Sequence, residues 1–538
     1  MKKIYLSLFT LLLASSVLAQ NTPIMSERHS QNATLRDSVA ERFSKKISAQ
    51  DLSDYLHRLA SDEFEGRETG QPGQKKAAKY IAQQFASFGI PPLKTGGYFQ
   101  EIPLTLTKVG KSTVGIDNLT FKFATDFYYF SNTPEVQLNF STLKFLGYGI
   151  KDSLYNDYKN VDVKNKAIMV LGGEPVDEKG NSLVTKKKDL SEWSTNLRKK
   201  MGVAKDEMPS LLMIVVDSVS ADVEKMNRFI MGSSLKLIGD DKKGQNTTVL
   251  FISKAMANVI LAKSKTDIKK LEKKIASLGK PYNMDVTVKM QADIVHDKQA
   301  MSAENVLAYV EGTDLKDEVV VVTGHYDHLG KDGNVIFYGA DDDGSGTSAV
   351  IEMAKVFNEA KKAGKGPRRS MLFMTVSGEE KGLLGSEYYS EHPVFPLEKT
   401  VADLNIDMIG RLDEKHKNNP NYVYVIGSDK LSTQLHAISE NTNKTYANLE
   451  LDYTYNDPND PNRFYFRSDH YNFAKHNIPV IFYFNGVHAD YHKSTDTVEK
   501  IDFFKMEKIT RLVFFTAWDL ANRNERIKVD VTNAFGNK

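Results

Sequence analysis

Val319-Val320-Val321-Val322-Thr323-Gly324-His325-Tyr326-Asp327 is the stretch on which the reading of this chain turns. Its first five residues are an apolar, β-branched run that reads as a buried strand. The run breaks at Gly324 and delivers an imidazole and a carboxylate. The same order recurs downstream: Met371–Val376 runs into Ser377-Gly378-Glu379-Glu380, Val401–Ile406 runs into Asp407, and Ile478–Phe484 is followed after a loop by His492. Between the first two strands lies Gly339-Ala340-Asp341-Asp342-Asp343-Gly344-Ser345-Gly346. Directly after it, Thr347–Ala363 reads as an amphipathic helix with Ala349, Val350, Met353, Ala354 and Phe357 on one face. Strands alternating with helices predict an α/β fold, a mostly parallel central sheet with helices on both faces. In such sheets function gathers beyond the carboxyl ends of the strands. Here several strand ends each supply a side chain of metal-ligating type.

Working outward, residues 46–120 read as the first part of the same domain. Leu52, Tyr55, Leu56 and Leu59 recur at helical spacing, as do Ala77, Ala78, Tyr80, Ile81, Phe85 and Phe88, and Gly89 with Pro91-Pro92 ends that pattern. Residues 121–285 change character. Short β-like runs (Leu143–Gly147, Ala167–Leu171, Leu211–Val216, Thr248–Ile252) alternate with turns and Lys-rich helices. They read as a separate, β-rich domain inserted into the first, with the main part resuming over 286–525 and a tail over 526–538. Residues 1–19 read as an export signal: Lys2 and Lys3, an apolar core Ile4–Ala14, and Val17-Leu18-Ala19 ahead of a cut before Gln20. Residues 20–45 are polar and mixed and read as a flexible leader. The expected location is therefore outside the cytoplasm, periplasmic or extracellular.

Composition narrows the classes. The chain of 538 residues exceeds one ordinary core, so several domains are expected. With 71 Lys plus Arg against 69 Asp plus Glu there is no net field to recruit nucleic acid or an acidic membrane. No later run is long enough to span a bilayer, so no stable membrane insertion is expected once the signal is gone. The chain is expected to act as a monomer. With no cysteine there are no disulfides and no thiolate ligands. Any metal site must use His, Asp and Glu.

Zinc suits imidazole plus carboxylate oxygen. Two His and three acids suffice for two ions if one carboxylate bridges them, and two ions about 3.5–4 Å apart can hold a shared hydroxide and polarise a carbonyl. The Asp-rich, Gly-flanked turn at 341–346 fits the bridge, because glycines let the backbone fold tightly there. At these residues the sequence resembles the M28 zinc peptidases, a family that includes secreted bacterial leucyl aminopeptidases. Gly324-His325-Tyr326-Asp327, Gly339–Gly346, Ser377-Gly378-Glu379-Glu380, Asn405-Ile406-Asp407-Met408-Ile409-Gly410 and Tyr491-His492 with Asp496-Thr497 carry the resemblance over nearly all of 302–500. It implies two Zn2+ per chain. His325 and Asp407 would bind one, Glu380 and His492 the other, and Asp342 would bridge them. Asp327 would orient His325, and Glu379 would act as general base and acid. The substrates implied are peptides with a free amino terminus. Leu146-Gly147-Tyr148-Gly149-Ile150, Tyr158 and Val161–Lys166 resemble a protease-associated (PA) domain.

Alternatives stay open at this point. A glutaminyl cyclase shares this fold and a similar ligand set, some relatives cleave from the carboxyl end, and a receptor-like relative would keep the fold without catalysis. His328, His470, His476 and His488 are rival imidazoles, each read as a satisfied polar residue instead. Asp341 and Asp343 read as braces of the turn or helix caps. Asp457–Asn462 is rich in oxygen ligands of the kind calcium takes but reads as an ordinary turn-rich loop. Aromatic residues over 464–484 are candidates for a side-chain pocket or for core.

Overall fold

The computed structural model describes residues 36–239 and 247–533. The expected signal (1–19), the leader as far as residue 35 and the tail beyond residue 533 lie outside the described residues.

A nine-stranded mixed sheet holds the strands singled out above. Its order is Glu450–Asp452, Tyr422–Ile426, Val480–Phe484, Thr400–Ile406, Leu315–His325, Arg369–Val376, His296–Val310, Phe99–Val109 and Ser234–Leu237. The four central strands, from Val480–Phe484 to Arg369–Val376, are parallel. The valine run explains why. Val320 and Val322 face one layer together with Val306, Phe373, Leu404 and Ile481, under helices Ala49–Leu59, Pro72–Ser87, Gly346–Lys362 and Phe503–Asn522. Val319 and Val321 face the other with Leu372, Met374 and Phe482, against Tyr389 and Phe473 of helices Leu384–Glu391 and His470–Lys475. A strand covered on both sides has no use for polar alternation. Register sets His325 level with Val376 and Thr323 level with Asn405, so the central strands finish along one edge. From Leu315–His325 the chain goes first to the neighbour on one side (Arg369–Val376) and then to the neighbour on the other (Thr400–Ile406). That reversal opens a crevice at the carboxyl ends.

A second sheet of eight strands has its own core. Val136–Leu146, Ala167–Leu171, Leu211–Val216 and Thr248–Ser253 run parallel in it, with helices Leu197–Glu207, Lys254–Ala262 and Ile268–Leu278 in the connections. The seam between the sheets falls near Gly110 and Val295, not near residues 120 and 285. Phe99–Val109 pairs with His296–Val310 in the main sheet, and the continuing strands Thr113–Ile116 and Asn283–Ile294 pair in the second. Strands that pass from one sheet into the next show no change of composition at the crossing. Ser234–Leu237, from inside the inserted segment, returns to edge the main sheet.

One terminal expectation needs correction. The leader ends before residue 38: Ser38–Ser44 is a helix whose N-cap Asp37 accepts from Val39 and Ala40, while Phe43 stacks on Trp518. Seven residues with one aromatic anchor give no readable period. The tail is anchored as well, with Ile527 buried and Asp530 accepting the backbone N–H of Thr433.

Candidate metal centre

The centre is built around the turn that follows the first parallel strand. Ala340–Ser345 winds as one wide turn into helix Gly346–Lys362, and within it Asp342 (φ −102°, ψ 97°) leaves helical geometry; the Asp342–Asp343 peptide is cis. Two glycines make the turn possible. A Cβ on Gly346 would stand 2.2 Å from the Ile406 carbonyl oxygen, and one on Gly339 (φ +53°) would stand 2.4 Å from Cγ of His328. The flanking acids sew the turn to the strand ends. Asp343 accepts the N–H groups of His325 (3.1 Å), Gly346 (2.8 Å) and Met408 (3.1 Å). Asp341 accepts from Gly410 (2.6 Å). Asp496, just after His492, accepts from the backbone of Asp341 (3.1 Å) and Asp342 (3.2 Å).

On this frame the side chains converge as two groups sharing one carboxylate. His325 Nε2 lies 3.2 Å from Asp342 Oδ1 and 3.7 Å from Asp407 Oδ1. His492 Nε2 lies 3.2 Å from Asp342 Oδ2 and 3.2 Å from Glu380 Oε2. Asp342 thus turns one oxygen to each group. Ligand atoms about 2.0–2.1 Å from one zinc ion stand roughly 3 Å apart, so the spacing suits a cation in each group. The donor set suits it too. Asp342 Oδ2, Asp407 Oδ1 and Glu380 Oε1 are buried without a hydrogen-bond partner, a state that costs several kcal/mol unless a charge answers it. A divalent cation in each group would answer all three.

The packing displaces the titrations. Burial works against a charged His325, but Glu379, Asp407 and Asp342 outweigh it and hold its pKa well above the usual imidazole range. His492 is pushed up to about 9, burial again losing to Asp342 and Glu380. Burial and the neighbouring Asp342 oppose ionisation of Glu380, yet His328 and His492 bring it down to about 2. Burial likewise opposes Asp342, and His325 with His492 holds it well below the carboxylate range. Glu379 moves the other way, raised by burial and then by Glu380 and Asp407.

Glu379 stands apart from both groups. Its Oε2 is 3.9 Å from His325 Nε2, and it lines a cleft with Asp342, Asp407, Phe464, Phe484 and Tyr491. Tyr491 stacks on His492 and its hydroxyl accepts from Arg467 at the rim (3.3 Å). The expected role of Asp327 changes in detail. His325 Nδ1 meets the backbone carbonyl of Asp327 at 3.1 Å, whereas the carboxylate is 3.8 Å away. That carboxylate accepts from Thr69 Oγ1 (2.7 Å) and from the N–H of Glu379 (3.2 Å), so it fixes the loop of the two glutamates rather than the imidazole.

The rival histidines separate. His488 lies under the turn, Nε2 3.3 Å from Asp341 Oδ2. His470 stacks on Phe482, and burial takes its pKa down to about 3. His476 faces Glu391. His328 enters the group of Asp342 and Glu380. The 457–462 loop spends its oxygens on its own backbone: Asp457 accepts from Asn459, and Asp460 from Asn462 and Phe464.

Three supporting residues escaped the sequence reading. Arg67 is fully buried, and its guanidinium donates to the carbonyls of Tyr326, Leu59, Tyr338 (each 2.7 Å) and Gly339 (2.8 Å), holding the His325 loop to the stem of the Asp342 turn. Thr69 holds Asp327. Ser468 Oγ donates to Asp407 Oδ2 (2.7 Å) and accepts from Asn405 Nδ2 (2.8 Å). Glu65-Gly66-Arg67-Glu68-Thr69-Gly70, between two helices, was the available signal.

An α/β protein whose strand ends bring two metal-ligand groups around one shared carboxylate defines a narrow class. Residues 305–517 match the model of Peptidase family M28. Aminopeptidase YwaD of Bacillus subtilis is 32% identical over 116 residues, 21% of this chain and 23% of its own length. A probable leucine aminopeptidase of Arthroderma otae is 29% identical over 215 residues, 39% and 56% of the two chains. A probable zinc metalloprotease of Pyrenophora teres f. teres is 27% identical over 209 residues, 37% and 39%. The chain thus spans between 23% and 56% of the length of these curated relatives. Among solved structures, an aminopeptidase from Aneurinibacillus sp. strain AM-1 superposes with a TM-score of 0.52 at 17% identity, over 92% of this chain and 98% of that one. That likeness concerns the fold. No helix among the described residues is long and apolar enough to cross a membrane.

Proposed function

We propose that the protein is an exported zinc-dependent exopeptidase that removes residues from the free amino end of peptides, with two zinc ions per chain. The observation that carries this reading is the placement of Asp342, one oxygen 3.2 Å from each of two imidazoles that come from opposite ends of the peptidase segment. His325, Asp342 and Asp407 would hold one ion, and Asp342, Glu380 and His492 the other. Ions bound there supply an activated water at neutral pH and polarise the scissile carbonyl.

The remaining work falls to the chain itself. Glu379 faces the cleft and ligates neither group; its carboxylate accepts the proton of the attacking water and returns it to the leaving amine. A carboxyl raised by burial is a stronger base than an exposed one. Asp327 fixes the backbone of Glu379 from below. Phe464, Phe482 and Phe484 give the cleft an apolar wall for the side chain. The second sheet, likened to a protease-associated domain, supplies none of these groups.

Arg467 at the rim favours a second reading, cleavage from the carboxyl end, since a guanidinium is a carboxylate receptor. Peptides with each end free or blocked separate the two. The proposal expects release of free amino acid from peptides with a free amino end, amidated ones included, none from acetylated ones, and loss of activity with a chelator. Release from acetylated peptides, or pyroglutamate formed without hydrolysis, contradicts it.

A further inference from the structure

We propose that His328 is a third imidazole ligand of the centre, binding the ion held by Asp342, Glu380 and His492. The inference rests on the reading that both groups hold metal ions. His328 Nδ1 lies 2.9 Å from Glu380 Oε1 and 3.9 Å from Asp342 Oδ2, and the three residues offer ligand atoms that all lie within 4.8 Å of one another. The ring is completely buried, and neither nitrogen has a hydrogen-bond partner. The short approach to Glu380 is therefore close without being aligned as a donor on an acceptor. That is the relation of two ligands on one ion: atoms about 2.0–2.1 Å from zinc stand roughly 2.9–3.4 Å apart for angles of about 90–110°.

A satisfied histidine looks different in this molecule. His416 also sits among acids, but its Nδ1 is hydrogen-bonded to Asp413 Oδ1 (2.9 Å), its ring stacks on Tyr422, and Lys415 pairs with the nearby Asp452. His328 has no such arrangement, and its frame leaves little freedom to find one. Its N–H donates to the carbonyl of Arg67 (3.2 Å), the N–H of Gly330 donates to that of Gly66 (2.9 Å), and Gly339 presses on the ring where any Cβ would collide. Two residues, Tyr326 and Asp327, separate His325 from His328, and the turn between them sends one imidazole to each group.

The two positions then differ. The one at Glu380 has four protein ligands, His328, Asp342, Glu380 and His492, whereas the one at Asp407 has three. A fuller protein shell makes the first position the tighter and the last to yield to a chelator, and leaves the second the more open.

The test uses the full chain loaded with zinc. A crystal structure with anomalous scattering from zinc should place His328 Nδ1 about 2.0–2.1 Å from one ion; a separation beyond about 3 Å overturns the proposal. In solution, titration against a chromophoric chelator should show one of two ions weakened by at least roughly tenfold in His328→Ala, with the other much less affected. Equal retention of both ions in the variant overturns the inference. A wild-type chain that binds no zinc at all overturns the metallopeptidase reading as well, so the two failures are distinguishable. Should His328→Ala not fold, as read by circular dichroism, the wild-type crystal structure decides alone.

Discussion

The two sheets of this chain share a construction and differ in what their buried charges answer to. In both, buried parallel strands alternate with helices. In the second sheet Ala167–Leu171 runs out into Gly172-Gly173, and Ser253 simply caps the next helix. Lys200, buried there, donates to the carbonyls of Tyr148, Leu171 and Gly173, and Asp157 accepts the N–H groups of Tyr148 and Ile150. Backbone meets Lys200 and one oxygen of Asp157, with Asp157 Oδ1 left over, and the result is a tied loop. In the main sheet the charges at the strand ends answer to one another, and oxygens and nitrogens are left over. Among the described residues, all three side-chain groups that could hold a metal ion fall within residues 305–517, and one of those, around His416, already pairs with Lys415. Buried charge is structural where the backbone meets it and a functional candidate where only another charge can.

The largest effect expected from this contrast is chemical. Glu379→Gln should lower kcat by about 10²–10⁴-fold while both ions remain, as read by steady-state kinetics beside metal analysis. Near-normal turnover would remove Glu379 from its role.

Next comes a matched pair, one buried cation from each sheet. Arg67→Met strips four carbonyls of their donor and should cost about 3–5 kcal/mol in urea unfolding, together with weaker zinc binding, because both loops it ties carry ligands. Lys200, whose pKa burial brings down to about 7, loses less on replacement. Lys200→Met should cost about 1–3 kcal/mol and leave kcat per folded molecule unchanged. Equal effects of the two on zinc affinity would break the comparison.

Ser468→Ala removes the hydroxyl that orients Asp407 and should weaken one ion by about 10–100-fold, seen in chelator competition. The smallest effect is on pH. In the metal-free protein the charged form of His492 is favoured up to about 9, against an ordinary value of 6.5. Its contribution to stability is complete below about 6.5 and is lost as pH rises to about 9. The melting temperature of the metal-free chain should therefore fall over that range. The zinc-loaded chain should not follow, because a ligating imidazole is already neutral.

Much of the site was legible because each ligand sits where an apolar run stops. His325 closes its strand, Asp407 follows directly on another, Glu380 comes four residues after a third, and the glycines around Asp342 announce a tight turn. The supports were not legible for a physical reason. Arg67 lies 259 residues before Tyr326, its first partner, and an arginine beside two glutamates reads as surface. That the carbonyl of Asp327, and not its carboxylate, meets His325 depends on a backbone path no spacing encodes. His328 looked like one more polar residue because a single sequence does not show which side of a turn its ring will take. The seam between the sheets was misplaced because strands that serve both have the same composition throughout.

The central claim is that Asp342 joins two metal positions into one centre. Zinc content per chain, measured on the wild-type protein and on Asp342→Ala after dialysis against the same free zinc concentration, tests it most directly. The account predicts two ions on the wild type and marked loss at both positions in the variant. A wild type that holds a single ion, or a variant that keeps two, would contradict it.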